Sequence, residues 1–549
     1  VHPMIYFTTL LFSLFTTMAL IPILRRYAGR MNCVDLPCER KVHCEAIPRV
    51  GGLAMAVGAL VPMLLWASRD PVASAILIGV GIIVLFGFLD DARELGYRAK
   101  FAAQTAAAAV VVLFGGLKIC CLGSLLPENV LLPNCLAVPF TILVIVGVTN
   151  AVNLADGLDG LAGGIMMMSF LCIAFVAYQV ENFAVALLAV ATIGAIFGFL
   201  RFNTFPASVF MGDAGSQLLG FLSVSMAIAL TQSGTALSPA FPMLLLGLPV
   251  MDTCAVMFER ALEGRPLFKP DRRHLHHKLL ALNLYHREAV FVIYILQAGM
   301  VTAAFLLRFQ SEWLLLGGYT ALCAGVMTLP GLAVRKGWAL QRPGVIDHAV
   351  KRWLKIRVRD RYLVPKLSQA VLENLFLLVL LAAFCLPAGV PRPVNWVAAG
   401  LAAALVGVHL LRPAWTGWVL RALIYFFMPL MIFYGVRRPL PWLPEKLLLA
   451  YDVCFAALVF FAVVILKTTR RRLGYAASPQ DFIILFIAVV VPNLPDAFIS
   501  SLQLGPITIR IVVLFFAFEV LAGEMRGQLN RVSLVALAGL MVVVGRWIL

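Results

Sequence analysis

Long apolar stretches separated by short polar segments run along almost the whole chain. Stretches of about 17 to 22 apolar residues are long enough to cross a bilayer as helices. We predict eighteen such spans, near residues 4–24, 50–67, 73–89, 101–115, 137–152, 161–179, 184–200, 214–232, 239–258, 288–308, 312–334, 369–386, 394–411, 417–435, 446–466, 480–499, 506–522 and 531–549. Because the apolar positions do not alternate every second residue, an outer-membrane barrel is excluded. The expected fold class is an all-α polytopic membrane protein.

The composition agrees with this pattern. Apolar residues make up 62% of the 549 residues and charged ones 13%, whereas soluble domains carry about 25% charged residues. So few charges cannot cover a soluble surface, which excludes a soluble enzyme, a disordered chain and a disulfide scaffold. The first span has no basic segment before it and no clear cleavage site after it, so we interpret it as a retained helix.

The formal net charge of +17 is unevenly distributed. If the first residue lies outside, the segments on the inner side hold 34 of the 44 Lys and Arg residues. This asymmetry indicates the cytoplasmic side of the membrane, and attraction to anionic lipid headgroups accompanies it. A nucleic acid partner is not expected, because no basic patch is interleaved with aromatic residues on a polar domain.

The eleven cysteines give little indication of metal binding. Cys33, Cys38 and Cys44 share the first inner loop without a CxxC pair, so reduced thiols are the simpler interpretation. In an outer loop, a disulfide from Cys120 or Cys121 to Cys135 is left open.

Acidic residues gather at the inner ends of several spans, although a charge at the bilayer centre costs about 2.5 to 3.5 kcal/mol. The sequence FLDDAREL places Asp90 and Asp91 at the end of the third span. They are either helix-end acids in water or, because adjacent carboxylates repel, a pair held by a cation or by Arg98 and Lys100.

The segment 150–164, NAVNLADGLDGLAGG, carries four amide and carboxylate groups at a spacing of three: Asn150, Asn153, Asp156 and Asp159. In a helix they would share one face, but Gly157 and Gly160 suggest a break. A region of caps and turns is the alternative. With no basic residue between them, we favour a Mg²⁺ or hydrogen-bonding site.

Asp213 stands where the eighth span begins. It is either the N-cap of a helix that starts at Ala214 or part of a site in which Gly212 and Gly215 let a phosphate approach the helix N-terminus. Phe210 is interpreted as core packing in preference to a stacking platform for a base.

The loop RRHLHHKL (272–279) contains five cation-capable donors: Arg272, Arg273, His274, His276 and His277. Zinc is disfavoured, because adjacent histidines do not readily share one ion and no cysteine is near. The donors suit a pyrophosphate, with a solvated loop as the alternative. Together the clusters indicate Mg²⁺-dependent phosphoryl transfer between a water-soluble and a lipid-borne reactant.

At these residues the chain resembles the polyprenyl-phosphate N-acetylhexosamine-1-phosphate transferases, the membrane family that includes the WecA and MraY types. The matching blocks, in order, are DLPCERKVH with IPRVGG, FLDDAREL, RAKFAAQ, NAVNLADGLDGL, FNTFPASVFMGDAGS and RRHLHHKL. The resemblance implies transfer of N-acetylhexosamine 1-phosphate, with GlcNAc 1-phosphate as the first choice, from a UDP-sugar to undecaprenyl or another polyprenyl phosphate. UMP would be released at the cytoplasmic face of a bacterial inner membrane, in the first membrane step of cell-surface glycan synthesis.

The resemblance also implies roles for individual residues. Mg²⁺, for which Mn²⁺ can substitute, would be bound by Asp213 and secondarily Asn153. The catalytic groups would be Asp90, Asp91, Asp156 and Asp159, of which the last two line the nucleotide-sugar pocket. Substrate contacts would come from Lys41, His43, Arg49, Lys100, Asn150, Phe210, Arg272, Arg273, His274, His276 and His277. The HLHH pattern favours the branch that uses simple UDP-HexNAc donors.

Two questions stay open at this point. Direct displacement by the lipid phosphate is favoured over a covalent aspartyl intermediate, since a phosphate is already anionic near neutral pH. A transporter or flippase of a phosphorylated lipid is the rival function, disfavoured because the polar clusters crowd one face.

We predict three parts of the chain. Residues 1–334, with ten or eleven spans, form the transferase domain, 335–368 a basic cytoplasmic linker and 369–549 a further region of about seven spans. Packing support or homodimerisation is the modest prediction for this last region. A module for lipid-glycan handling or partner docking is the next alternative, and an independent transporter is disfavoured because intramembrane charges are sparse. The region has no cluster of polar residues comparable to those of the first part.

Overall fold

The protein is almost entirely helical. A computed structural model describes residues 3–35, 46–66, 70–127, 130–265, 273–336, 363–411, 415–468, 504–524 and 529–548. The chain divides into two compact units, one formed by Val1–Gln341 with Ser478–Ile483 and the other by Arg342–Ala477 with Ile484–Leu549. Most of the linker predicted at 335–368 and the span predicted at 480–499 lie outside the described residues.

In the first unit the described helices are α1 (Pro3–Tyr27), α2 (Gly51–Trp66), α3 (Pro71–Arg93), α4 (Tyr97–Leu113), α5 (Asn134–Leu154), α6 (Leu161–Gln179), α7 (Phe183–Asn203), α8 (Gly212–Thr231), α9 (Phe241–Leu245), α10 (Gly247–Leu262), α11 (Leu275–Ala281), α12 (His286–Leu306) and α13 (Glu312–Arg335). The span predicted near 239–258 is therefore two helices, α9 and α10. The predictions at 50–67 and 101–115 correspond to helices of 16 and 17 residues.

Twelve helices of the described chain are long and apolar enough to cross a membrane. The protein is therefore a multi-pass, all-α membrane protein, as the apolar pattern predicts. Local sequence accounts for several boundaries. For example, α3 begins at Pro71, behind Asp70, whose side chain accepts a hydrogen bond of 2.7 Å from the amide of Ala73, and proline is favoured in this first helical position.

Helix α8 is the centre of the first unit and packs against α2, α3, α5 and α6. Helix α2 contacts the start of α8, because the amide of Gly52 donates a hydrogen bond of 2.8 Å to the carbonyl of Met211. A short antiparallel pair, β1 (Val34–Asp35) and β2 (Ile47–Pro48), supports the same region, because the amide of Phe210 donates to the carbonyl of Pro48 at 2.8 Å. The first and fifth sequence blocks are thus joined by backbone contacts.

The cysteines of the outer segment do not form the disulfide that was left open. Cys120, Cys121 and Cys135 are all free thiols. Cys33, in the first inner loop, is buried, and this burial, followed by the negative charge of Asp91, raises the pKa of its thiol to about 11. Since the thiolate is the reactive form, Cys33 is an inert thiol.

In the second unit the described helices are α14 (Leu363–Cys385), α15 (Arg392–Leu411), α16 (Thr416–Ala422), α17 (Met428–Arg437), α18 (Glu445–Thr468), α19 (Leu504–Glu524) and α20 (Asn530–Ile548). A π-helical turn, Leu423–Phe427, joins α16 to α17. Their apolar faces form a core of their own that includes Phe376, Phe384, Phe427 and Phe518.

One group of polar side chains joins two helices of the second unit that are far apart in the chain. Arg421 binds Glu519 through Nε at 2.8 Å and Nη2 at 3.3 Å, and the hydroxyl of Tyr425 donates to the same carboxylate. These residues are about a hundred positions apart, so no local sequence pattern shows the cluster. It is a neutral ion pair rather than a concentration of one charge.

Candidate active site

Asp91, at the end of α3, caps the beginning of α8. Its two carboxylate oxygens accept hydrogen bonds from the amides of Asp213, at 2.9 Å, and Ala214, at 3.1 Å. Gly212 precedes them with φ +69°, and a Cβ there would overlap the Asp91 carboxylate, so this approach requires glycine. Helix α8 starts at Gly212, with Asp213 in its first turn. Asp213 is therefore not the N-cap, and the amides considered for a phosphate are occupied by Asp91.

Lys100, near the start of α4, joins two of the predicted carboxylates. Its Nζ lies 2.5 Å from Oδ2 of Asp90 and 2.7 Å from Oδ2 of Asp213. Asp90 is only 5% exposed, and its other oxygen, Oδ1, is buried with no hydrogen-bond partner in the described structure. Asp90 and Asp91 are thus buried rather than helix-end acids in water. Of the two basic residues considered for holding the pair, Lys100 binds Asp90 alone, because Asp91 is held by backbone amides. Arg98 is exposed and contacts Tyr97.

The amides of α5 lie beside this acidic group. The hydroxyl of Ser216 donates to Oδ1 of Asn153 at 2.7 Å, and Asn153 is a hydrogen-bonding neighbour of the Asp213 carboxylate. Asn150 instead donates from Nδ2 to Gln104 at 2.5 Å. Gln104 in turn donates to Oε1 of Gln217 at 3.0 Å. Sequence reasoning did not single out Ser216 or either glutamine, although Gln104 ends the RAKFAAQ block and could have been found there.

The break suggested by Gly157 and Gly160 is real. Helix α5 ends at Leu154, and Asp156 and Asp159 lie in the loop that leads to α6. The four groups of 150–159 therefore do not share one helical face. Asp159 accepts a hydrogen bond of 2.9 Å from the amide of Ala207, which ties this loop to the segment before α8.

Asp156 is held close to the acidic group. Desolvation by the surrounding protein is the main cause that raises its pKa to about 7, and the negative charges of Asp213, Asp159 and Asp91 raise it further. Near neutral pH this carboxyl is therefore divided between its neutral and ionised forms. A cation bound among these acids would favour the ionised form, because opposite charges lower the pKa of a carboxyl group.

The histidine loop contacts the Asp156 loop directly. The ring of His276 lies against the backbone of Gly157, where a Cβ would overlap it, and the ring of His277 follows with centroids 4.2 Å apart. Burial, and then the charge of His277, lower the pKa of His276 to about 3. His276 is therefore neutral at physiological pH, so this member of the five cation-capable donors carries no positive charge.

The basic residues of the predicted site have different positions. Arg273 forms an ion pair with Glu263 at 2.7 Å, and the guanidinium of Arg49 binds the Asp35 carboxylate. Phe210 is fixed through its backbone, by the hydrogen bond from its amide to Pro48, and is partly buried. Lys41, His43 and Arg272 lie outside the described residues.

The acidic group can be tested as a magnesium site. Among the residues described, no group of three or more His, Cys, Asp or Glu side chains has the arrangement of a preformed metal site. Mg²⁺, however, commonly takes only one or two protein carboxylates and completes its shell with water and substrate phosphates. Asp90 and Asp213 share a single ammonium group, that of Lys100, and Oδ1 of Asp90 has no partner in the described structure. Oxygen donors with excess negative charge fit a divalent cation.

Comparison with known proteins identifies relatives of this chain. Residues 73–231 match the model of glycosyl transferase family 4. The chain is 37% identical over 305 residues to a probable undecaprenyl-phosphate N-acetylglucosaminyl 1-phosphate transferase of Bacillus subtilis, covering 55% of this chain and 85% of that protein. It is 30% identical over 365 residues to the undecaprenyl-phosphate α-N-acetylglucosaminyl 1-phosphate transferase of Escherichia coli K12, covering 65% and 96%.

A third relative is the decaprenyl-phosphate N-acetylglucosaminephosphotransferase of Mycobacterium tuberculosis, 31% identical over 350 residues, covering 57% of this chain and 85% of that protein. The chain therefore belongs to the WecA- and MraY-like family of polyprenyl-phosphate N-acetylhexosamine-1-phosphate transferases. These matches leave more than a third of the chain without a counterpart.

Proposed function

We propose that the protein transfers N-acetylhexosamine 1-phosphate, with GlcNAc 1-phosphate as the first choice, from a UDP-sugar to undecaprenyl or a related polyprenyl phosphate. The observation that carries this proposal is the convergence of Asp90, Asp213 and Lys100, from three different helices, beside a loop that contacts the histidine motif. The names of the relatives supply the substrate class. In this proposal the protein lies in a bacterial inner membrane with the site at the cytoplasmic face, and the distribution of basic residues supports this orientation.

The proposed reaction is a direct displacement. An oxygen of the lipid phosphate attacks the β-phosphorus of the UDP-sugar, a new P–O bond forms, and the bond to the α-phosphate oxygen breaks to release UMP. Asp90 is better suited than Asp91 to orient the lipid phosphate or accept its proton, because both oxygens of Asp91 are used by the amides of α8. Lys100 is placed to contact phosphate oxygens.

The residues that would hold Mg²⁺ are Asp213 and, beside it, Asn153. When bound, the ion would offset negative charge on the diphosphate during transfer. Asp156 and Asp159 line the nucleotide-sugar side of the site in this proposal. The HLHH loop contacts the sugar and diphosphate, with His276 as a neutral donor rather than a cation.

The test is an assay of the purified protein with UDP-[³H]GlcNAc, polyprenyl phosphate and Mg²⁺. We expect a lipid-linked radioactive product and an equal amount of UMP, both dependent on the divalent ion. Parallel reactions with other UDP-HexNAc donors decide the sugar. If the protein moves a phosphorylated lipid across vesicles but forms no lipid-linked sugar, it is a transporter and the proposal is wrong.

Direct displacement can be separated from a covalent route by leaving out the lipid acceptor. We expect no UMP above background and no labelled protein under these conditions. A stoichiometric burst of UMP, or a phospho-sugar trapped on an aspartate, would show the two-step reaction.

For the second unit we propose packing support or homodimerisation of the protein in the membrane. Support comes from its own apolar core and from ion pairs that satisfy one another. A chain ending near residue 340 should keep the transfer reaction if the second unit is only supportive. Measuring the turnover and the oligomeric state of this truncated chain beside those of the full chain tests both roles.

A further inference from the structure

Asp252, on α10, is a buried acid that belongs to none of the sequence blocks of the site. It is 7% exposed, and both its oxygens contact the beginning of the histidine loop. Oδ2 lies 2.9 Å from Nδ1 of His274, and Oδ1 accepts a hydrogen bond of 2.7 Å from the amide of Leu275. A single carboxylate thus fixes both the first histidine of the HLHH motif and the first turn of α11.

This contact decides which nitrogen of His274 carries the proton. An ionised carboxylate only accepts hydrogen bonds, so the proton between the two side chains belongs to Nδ1 of His274. Nε2 is then the ring atom left for a ligand. Carboxylates that bind one imidazole nitrogen fix the ring orientation and favour proton uptake at the other nitrogen.

The ring of His274, held by Asp252, stacks on a second histidine that contacts the site. The rings of His274 and His276 are nearly parallel, with an interplanar angle of 4° and centroids 5.8 Å apart, and His276 lies against Gly157 of the Asp156 loop. The side chains around these rings are tightly packed, because the cavity lined in part by Asp252, Leu275 and His276 has a volume of only about 20 Å³. We therefore expect a shift at Asp252 to displace His274 and, through it, His276 at the nucleotide-sugar side of the site.

We propose that Asp252 is a positioning residue that acts through His274 and makes it the imidazole that donates to the diphosphate of the nucleotide sugar. This inference rests on the proposed function. It assigns different roles to two histidines of one motif: His274 faces a carboxylate, whereas His276 is packed as a neutral ring.

The experiment compares Asp252→Asn, His274→Gln and the double variant in the full-length protein. We expect Asp252→Asn to lower kcat/KM for the UDP-sugar by about 10- to 100-fold, through a higher KM or a lower kcat. This is the usual cost of losing such a supporting carboxylate. KM for polyprenyl phosphate should change less than about threefold. Because both residues act through one imidazole, the double variant should be no worse than His274→Gln alone.

Glu259→Gln is the matched control. Glu259 also joins α10 to α11, through an ion pair of 2.9 Å with Lys278, but it does not touch a histidine of the motif in any described contact. We expect this variant to keep wild-type kinetics, which separates positioning of His274 from a general tie between two helices. Thermal midpoints of all variants in detergent show which of them fold.

The outcomes distinguish the inference from the function on which it rests. If the wild-type protein makes no lipid-linked product, the proposed function fails. If the wild type is active and Asp252→Asn equals it, only the inference fails. Additive losses in the double variant, or equal losses in Glu259→Gln, would also overturn the positioning role.

Discussion

The two units of this protein arrange their acidic side chains in opposite ways. In the first unit Asp90 and Asp213 share one ammonium group, that of Lys100. Asp91 beside them accepts hydrogen bonds from backbone amides, so the carboxylates of this group outnumber the ammonium group that they contact. In the second unit the three acids whose side chains are described each have a basic partner: Glu373 with Arg531, Asp452 with Arg510 and Glu519 with Arg421. An ion pair satisfies itself, whereas a concentration of one charge needs a ligand of the other sign.

The largest effect on turnover is expected for Asp213, which lies among the clustered carboxylates of the first unit. Asp213→Asn should lower kcat for lipid-linked product by about 10²- to 10³-fold, the usual cost of losing one charge-stabilising group. The measurement is turnover across a range of Mg²⁺ concentrations. Asp70→Asn, at the other end of α3, is the control and should act like the wild type, because asparagine also caps helices. Near-normal activity of Asp213→Asn at low Mg²⁺ would refute the ligand role.

The second prediction separates the adjacent acids. Asp90→Asn should lose about 10²-fold or more in turnover, within the range for a positioned acid or base, with little change in stability. Asp91→Asn should instead lower the free energy of unfolding by about 0.5 to 2 kcal/mol, because it weakens the cap of α8. The thermal midpoint of this variant should fall accordingly. Turnover of the folded fraction and melting in detergent are measured together. Equal loss of turnover with unchanged melting in both variants would contradict the capping role of Asp91.

The third prediction concerns pH. The pKa of Asp156 is raised to about 7, so this carboxyl is mainly neutral at pH 6 and mainly ionised at pH 8. Without Mg²⁺, an anionic UDP-sugar should therefore bind more tightly at pH 6 than at pH 8. If the bound ligand raises the pKa of Asp156 by one further unit, the difference in affinity is up to about tenfold. The dissociation constant measured by calorimetry checks this. Asp156→Asn should flatten the dependence, and an unchanged slope in this variant would assign it to another group.

The smallest effect on catalysis is expected in the second unit. Arg421→Gln and Glu519→Gln each leave a partner unpaired and should cost about 1 to 3 kcal/mol of stability, because the pair is partly exposed rather than fully buried. The double variant should melt closer to the wild type. Transfer activity in membranes should stay within about twofold in all three. Loss of turnover in a variant that is still folded would show that the second unit takes part in the reaction.

The comparison also shows where sequence reasoning stops. The blocks FLDDAREL and FNTFPASVFMGDAGS identify Asp90, Asp91 and Asp213 as candidate site residues, because acids at span ends are rare in an apolar chain. The same reasoning found neither Asp252, an isolated acid in the apolar part of α10, nor the pair of Arg421 and Glu519. Each of these acids finds its partner in another helix, and no local pattern marks it.

The sequence by itself determined the membrane fold, most helix boundaries and the inner-side clusters, since hydropathy and charge depend on neighbouring residues in the chain. Only the tertiary structure decided what each polar group does. Asp91 accepts hydrogen bonds from amides 122 and 123 residues away, which leaves Asp90 as the adjacent acid with an oxygen that has no partner. Identical carboxylates side by side thus differ in role because hydrogen bonds depend on distances between helices, which folding alone sets.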